Sequence, residues 1–566
     1  MKKFLLTLLF VVTFFSFSAV GASAAEKDTI RVGLRYGSSA LFSANLENAE
    51  GEGYAFGWFD EDRQFEAVGW TEETAISITA AGDIYMSSGG NYSADEPSNI
   101  TGYLGPWHVE IDGFGNFDEA QEAARDYGGY PAWIDGAYVV RVGAYETERS
   151  AERAADDLGE GYAACSSDTG ILVTVTRTTD TLFEYDDSQT FGIQPDNGRQ
   201  EPVTWFKGYK YPGGFAYRRP RGGNLSVINV VDLEEYVKGV IPYEMDGDWP
   251  LAALEAQAVC ARTYACRASK HLSAYGFDVC ASTDCQVYYG RGSGGAAPTD
   301  RSDQAVENTA GEMLYYHGDL VQDAVYHSSN GGATEDAANV WGGDKGYLKG
   351  KADPYEAQTS IPNYNWSVTY TADQLTWILE QKPSMTGGKN IGTVQNVYVS
   401  EYTPMGNVKK VTFEGTKGSL TVTGDTCRTI FYSSTYGKSV PSLRFGINGG
   451  GPSTGSGITV NGNQTLSGLD GLSVISVSGK ISRLEGNSAS VITAAGVSNV
   501  TVGGTASKPT SSKNGTFTIT GSGNGHNVGL SQYGAKAMAE NGSGYQEILE
   551  HYYTGAELLR YTYSPE

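Results

Sequence analysis

Positive charge is what this chain of 566 residues is short of: 40 Lys and Arg stand against 66 Asp and Glu, a formal net charge of −26 at pH 7. Holding a nucleic acid needs clustered Lys and Arg, so that class of partner is excluded. The same deficit excludes docking on anionic lipid or anionic wall polymer by bulk charge, and leaves shape and hydrogen bonding for any wall recognition. Methionine is scarce at 7 residues, whereas 74 Gly and 37 Tyr abound. That balance points to many short strands and turns, and Tyr offers sugars a flat apolar face with a polar tip. Beyond the N-terminal leader no stretch approaches the ~20 apolar residues that a membrane span needs. No nucleophile-elbow pattern is present, which argues against a Ser/His hydrolase.

The chain opens MKKFLLTLLFVVTFFSFSAVGASAAEK, with Lys2 and Lys3 before an apolar run and small residues at Ala22-Ser23-Ala24. This predicts a cleaved signal peptide over residues 1–25 and a secreted protein. No Cys adjoins the site, so a lipoprotein anchor is not expected. Export permits disulfides. Of the 6 cysteines, only Cys280 and Cys285 lie close enough to read as a local pair. Cys260 and Cys266 are six apart on one helix, point different ways, and read as small core residues.

The length predicts two to four domains. DTIRVGLRYG reads as a first strand with Ile30, Val32 and Leu34 facing inward. A repeat follows: HVEIDGFGNFDEAQEAARDYG and VVRVGAYETERSAERAADDLG align at an offset of 31, placing Val109 on Val140, Ile111 on Val142 and Ala120 on Ala151. Each half reads as a strand and then a helix that buries small residues, and the two halves should pack as one α/β unit. This repeat resembles the SPOR family, which implies binding to peptidoglycan glycan strands that lack stem peptides. The expected organisation is α+β and multi-domain: 26–104 β-rich, 105–178 SPOR-like, 179–446 the first part of a core, 447–514 a β-rich Gly/Ser/Thr insertion, and 515–566 the rest of the core.

The stretch IPYEMDGDWPLAALEAQAV holds the central question, whether Glu244 is an active-site acid or a surface glutamate. Asp232 and Glu235 form a capping box for the helix LEEYVKGV, which Gly239 should weaken and Pro242 should stop. Asp248 is the expected N-cap, and Pro250 the first-turn residue, of the next helix, LAALEAQAVCARTYACRASKH, which should bury Leu254, Ala258, Ala261 and Ala265. Glu244 then falls in a tight connection between two helices.

The block VVDLEEYVKGVIPYEMDGDWPLAALEAQAVCARTYA resembles the SpoIID family of stage II sporulation protein D and amidase enhancers. CASTDCQVYYG, AVYHSSNGGATEDAANVWGG, YLKGKAD and GNGHNVGLSQYGAKAMAENGSGYQEILEHYYTG follow in the family's order. The resemblance implies a mixed α/β core and lytic transglycosylase activity on peptidoglycan, with Glu244 as the catalytic glutamate acting as general acid and base. That role needs a raised pKa, which Tyr243, Met245 and Trp249 are placed to supply, although the nearby helix N-terminus would pull the other way. Asp246, Asp248 and Glu255 make a two-carboxylate hydrolase the chemical rival. Glu255 also stands where the family often has Lys.

Polar members of the matching motifs are the candidate substrate contacts: Gln257 and Arg262 on the helix, Ser328, Ser329 and Asn330 beside Gly331-Gly332, and His526 and Gln532. For Gln257 and Arg262 structural bonding is the competing reading. Cys280 and Cys285 resemble a family segment that binds zinc in some relatives, but Asp284 stands where His is common, with His271 a substitute ligand. A disulfide is the favoured reading, and no cofactor is expected. Partners are glycan strands and, in a second reading, an amidase that a non-enzymatic wall-binding protein would stimulate.

Overall fold

The computed structural model describes residues 28–48, 51–196, 203–292, 297–448 and 515–560, together with the backbone of short strands between 458 and 501. The predicted signal peptide, residues 1–25, lies outside the described residues. Among those described, no helix is long and apolar enough to cross a membrane. The chain is a mixed α+β protein built on several sheets.

The predicted first strand, Thr29–Arg35, forms, and Ile30, Val32 and Leu34 are buried as its alternation requires. It pairs antiparallel with Ser226–Asp232 and parallel with Val279–Cys280 inside a seven-stranded sheet. The N-terminal segment is therefore woven into the region that follows residue 179.

The repeat supplies four strands to one end of a ten-stranded sheet, in the order Tyr162–Cys165, Trp107–Phe114, Ala137–Tyr145, Tyr130–Ile134. Its two helices, α1 (Phe117–Tyr127) and α2 (Glu148–Leu158), start in the same way, on the side-chain caps Asn116 and Thr147. They also end in the same way, on left-handed Gly128 and Gly159. Ala120, Ala124 and Ala151 are buried where the alignment placed small residues. The innermost repeat strand, Tyr130–Ile134, runs parallel to Thr181–Asp186, so the sheet continues into the rest of the chain without a break. On this sheet Arg141 is buried between Glu110 (2.9 Å) and Glu184 (2.5 Å), and Ser166 adds a bond to each of Arg141 and Glu184. Removing one charge from such a group strands the others in low dielectric, at a cost of about 3–5 kcal/mol.

Two helices then place the site. α3 (Leu233–Glu244) opens on Asp232, whose carboxylate accepts from the backbone N–H groups of Glu234 and Glu235. It does not stop at Pro242. The proline leaves the Lys238 carbonyl without its helical donor, but the last turn still closes through Met245 N–H on the Ile241 carbonyl, at 2.9 Å. Gly239 is no weak point either: a Cβ there would lie 2.5 Å from the Gly290 carbonyl, so the glycine admits a neighbouring loop. α4 (Leu251–Ala265) starts on Pro250 and ends at Ala265, short of the predicted His271. Asp248 caps nothing; its N–H is held by the Asp246 carboxylate within the turn. Leu254, Ala258, Ala261 and Ala265 are buried, as is nearly every other residue of α4. A helix buried all round belongs to a core, and here α3, the helices Asp300–Asn308, Gln532–Glu540 and Tyr545–Tyr552, and the strand Glu312–Tyr316 enclose it.

The strand Thr516–Ser522 pairs on one side with Asn365–Thr371 and on the other with Phe445–Ile447. The residues on either side of the 447–514 block thus meet in one sheet, and the block interrupts a continuous core. Within it Ile458–Val460 pairs with Gln464–Leu466, Ser473–Ile475 with Ile481–Arg483, and Ser488–Thr493 with Gly496–Thr501. Hairpins are what its alternation and turn residues predict.

Candidate active site

Glu244 is the last residue of α3, and burial pushes its carboxyl above the usual carboxylate range. The helix end adds to this, because the unpaired carbonyls of a last turn disfavour a negative charge. A helix N-terminus also adjoins it, at Gln532, which opens the helix Gln532–Glu540 and pulls the other way. Met245 is buried beside it, and Trp249 packs on Tyr533.

Two donors restrain the carboxylate. Gln532 Nε2 donates to Glu244 Oε2 at 3.2 Å, and the Tyr326 hydroxyl donates as well. Both bonds favour the charged form and offset part of the burial effect. These residues reach Glu244 because Tyr326–His327 and Leu530–Ser531 form a short parallel ladder, after which Gln532 opens a helix capped by Ser531. Behind Tyr326, Gln286 Nε2 donates to its hydroxyl at 3.1 Å, and Tyr236 donates to Gln286 Oε1 at 3.0 Å. A buried chain of side chains thus runs from the core to the acid.

Glu244 faces a cavity of about 540 Å³ that Tyr326, Ser328, Trp341, His526 and Gln532 also line. His526 Nδ1 accepts from Val528 N–H, and burial together with the Arg428 charge lowers its pKa to about 4, so the ring is neutral at pH 7. Of the sequence-predicted contacts, Ser328, His526 and Gln532 line this cavity. Ser329 and Asn330 do not. Both are buried, and Asn330 bonds Asp353 through Nδ2 and Gly332 N–H through Oδ1. Gly331 and Gly332 take φ of +77° and +115°, the tight turn foreseen, and its N–H groups at Asn330 and Gly331 end on the buried Glu356 carboxylate. That carboxylate also accepts from Ser531, so the turn braces the strand that leads into Gln532.

Gln257 and Arg262 lie outside this cavity. Arg262 is fully buried and grips Glu234 through Nε and Nη2 at 2.7 and 2.6 Å, while Nη1 donates to the Glu312 carbonyl. It locks α4 to α3 and to the strand Glu312–Tyr316, which is the structural role. Gln257 is fully buried within α4. Glu255 points to Asn308, at 2.7 Å, and is absent from the groups that shift Glu244.

Cys280 and Cys285 are free thiols, which corrects the favoured disulfide. The Cys285 thiol hydrogen-bonds Cys280 and lowers its pKa to about 5, while that of Cys285 rises. His271 and Asp284 join them, and the four ligand atoms lie within 4.8 Å of one another. His271 Nε2 is 3.4 Å from Cys285 Sγ. That spacing suits the edges of a tetrahedral thiolate–imidazole–carboxylate site, the donor set zinc prefers. Asp284 and Cys285 also border the Glu244 cavity.

Tyr326, Gln286 and Trp341 were not singled out from sequence. Tyr326 and Trp341 fall inside AVYHSSNGGATEDAANVWGG, and Gln286 directly follows Cys285, so motif membership was the available signal.

The profile of the family described as SpoIID, Stage II sporulation protein, matches residues 221–316, which include Glu244 and the four-ligand cluster. The amidase enhancer of Bacillus subtilis (strain 168) is 33% identical over 335 residues, covering 57% of this chain and 40% of that protein. Stage II sporulation protein D of the same organism is 26% identical over 349 residues, covering 60% of this chain and 77% of that protein. An uncharacterised protein of Brachyspira hyodysenteriae (strain ATCC 49526 / WA1) is 28% identical over 356 residues, covering 62% and 73%. The chain thus spans about two fifths of the amidase enhancer it matches. These matches enclose the helix that ends on Glu244, and residues 221–316 are where the chain is similar to the SpoIID family.

Proposed function

We propose that this cell-wall-related protein cleaves peptidoglycan glycan strands as a lytic transglycosylase, with Glu244 as the single general acid and base. The observation that carries this reading is a carboxyl raised by burial, held by Gln532 and Tyr326, and facing a ligand-sized cavity. The protonated Glu244 gives its proton to the glycosidic oxygen as the C1–O bond breaks, which leaves positive charge on the sugar ring. The carboxylate so formed takes the proton of the muramyl 6-hydroxyl while that oxygen bonds to C1. The products are a free 4-hydroxyl end and a 1,6-anhydro-muramyl end, and Glu244 is protonated again. Desolvation keeps water from competing, and neutral His526 is free to donate or accept at a sugar hydroxyl.

The strand–helix repeat supports a SPOR-like glycan-binding unit, and two sites for one polymer on one chain raise effective concentration without new contacts. The leader supports secretion. The cluster of His271, Cys280, Asp284 and Cys285 is fit to hold zinc, which would supply no chemistry to the reaction. It would pin the segment next to Gln286, and so the side chains behind Glu244.

A second reading is favoured by the name of the relative at 33% identity: a non-enzymatic enhancer of an amidase. One experiment separates them. Mature protein and Glu244→Gln are incubated with peptide-free strands, and the products are read by mass spectrometry. Anhydro-muramyl ends that disappear in the variant support the transglycosylase. Reducing ends mean a hydrolase using Asp246 or Asp248, which line a cavity with Glu244. No product, together with acceleration of an added amidase, supports the enhancer.

A further inference from the structure

A second cavity, of about 490 Å³, adjoins the first; Pro242 to Asp248, Thr299 and Ser302 line it. Tyr243 and Glu244 are the residues the two cavities share, so the acid stands at their junction. A site that trims chain ends needs a wall next to its acid, whereas here ligand-sized space lies on both sides. Half-exposed aromatic rings extend from this junction. The Tyr243 ring centroid is 5.2 Å from that of Tyr289, and Tyr289 stacks on Tyr209 at 4.5 Å with 25° between planes.

This row is built in. A Cβ on Gly290 would meet the Lys210 carbonyl at 2.0 Å, and one on Gly239 would meet the Gly290 carbonyl at 2.5 Å. The Tyr289 loop is therefore wedged between α3 and the strand Tyr209–Pro212, and Arg291 N–H bonds the Lys210 carbonyl at 2.6 Å. At the far side of the first cavity Trp341 is 47% exposed, with its ring 4.9 Å from that of His526. An exposed indole held against a neutral imidazole at a cavity mouth offers its free face to an apolar sugar face.

We propose that a glycan strand crosses both cavities as an internal segment, with Trp341 under a sugar on one side of Glu244. The row Tyr243–Tyr289–Tyr209 carries the strand away from the acid, and the cut falls inside a strand rather than at its end. This rests on the glycan reading above.

The test titrates peptide-free glycan strands into the Glu244→Gln protein, alone and combined with Trp341→Ala, Tyr289→Ala or Tyr289→Phe. Each alanine change is expected to weaken binding about tenfold, the size of one lost aromatic stacking contact. Tyr289→Phe is expected to bind as before, because the ring face makes the contact. Chain-length analysis of wild-type digests is expected to show intermediates before small products. Unchanged affinity in both alanine variants, or one smallest product from the outset, overturns the inference. Cleavage by wild type with unchanged binding in both alanine variants overturns this inference and leaves the transglycosylase reading standing. Binding lost in the alanine variants with no cleavage by wild type sinks the transglycosylase reading and leaves the platforms standing.

Discussion

Gln532 Nε2 lies 3.2 Å from Glu244 Oε2, although 288 residues of chain separate them. The bond, like that from Tyr326, favours the ionised carboxylate and lowers its pKa. A general acid works while protonated, so activity falls as pH rises through that pKa. Gln532→Ala and Tyr326→Phe each remove a donor and raise the pKa. The alkaline limb of the kcat/KM profile is expected to move to higher pH in both, which a merely structural residue would not cause.

Glu244→Gln is expected to lose at least 10²- to 10⁴-fold in activity, the contribution of a positioned proton donor. It should keep its fold. The raised native pKa means that the folded state binds more protons than the unfolded one above the usual glutamate range, so wild-type stability falls as pH rises there. Thermal unfolding at pH 5 and pH 8 should show a smaller loss for the variant.

Arg262→Ala tests the reassignment of that residue. Breaking a buried pair costs about 3–5 kcal/mol, and the low end is expected because Glu234 keeps 28% of its side-chain exposure. Denaturant unfolding reads this directly. Normal stability with a raised KM would return Arg262 to the substrate.

Glu356 predicts a second pH effect. Burial and the neighbouring Asp353 charge push its pKa from 4.5 to about 7. Between those values the folded protein holds a proton that the unfolded chain has lost, so stability declines as pH rises through this window. Glu356→Gln should flatten that slope. It should also lose about 1–3 kcal/mol overall, as it cannot accept from Asn330, Gly331 and Ser531 together.

The cysteine cluster predicts about one zinc per chain by elemental analysis. Cys285→Ser should abolish it, and chelation should lower the melting temperature. Alkylation of chelated, unreduced protein should label both Cys280 and Cys285; labelling of neither would restore the disulfide.

Much of this was legible locally. The alternation of Ile30, Val32 and Leu34, the capping by Asp232 and the alanines of α1 and α2 depend on period and on neighbours a few residues away. The choice of Glu244 also came from sequence, through a motif around one helix junction. The misreadings have a common form. Pro242 was expected to end α3, and Asp248 to cap α4, because propensity weighs each residue alone. Packing outweighed it: α3 is held along its length by α4 and the Gly290 loop, and one absent N–H near its end is a small loss.

The sequence by itself picked out Glu244 as the candidate acid, the two helices that flank it, the strand–helix repeat and the close spacing of Cys280 and Cys285. The structure decided that α3 runs on to Glu244 and that the two cysteines are free. Only the tertiary structure decided which polar groups act on that acid. Arg262 and Asn330 carry the chemistry of ligands for sugar, yet both spend their hydrogen bonds inside the core. Tyr326 and Gln532, unremarkable in composition, reach Glu244 because a two-stranded ladder joins segments some 200 residues apart. The direction of a side chain across such a distance is set by burial and backbone pairing, and no local pattern encodes it.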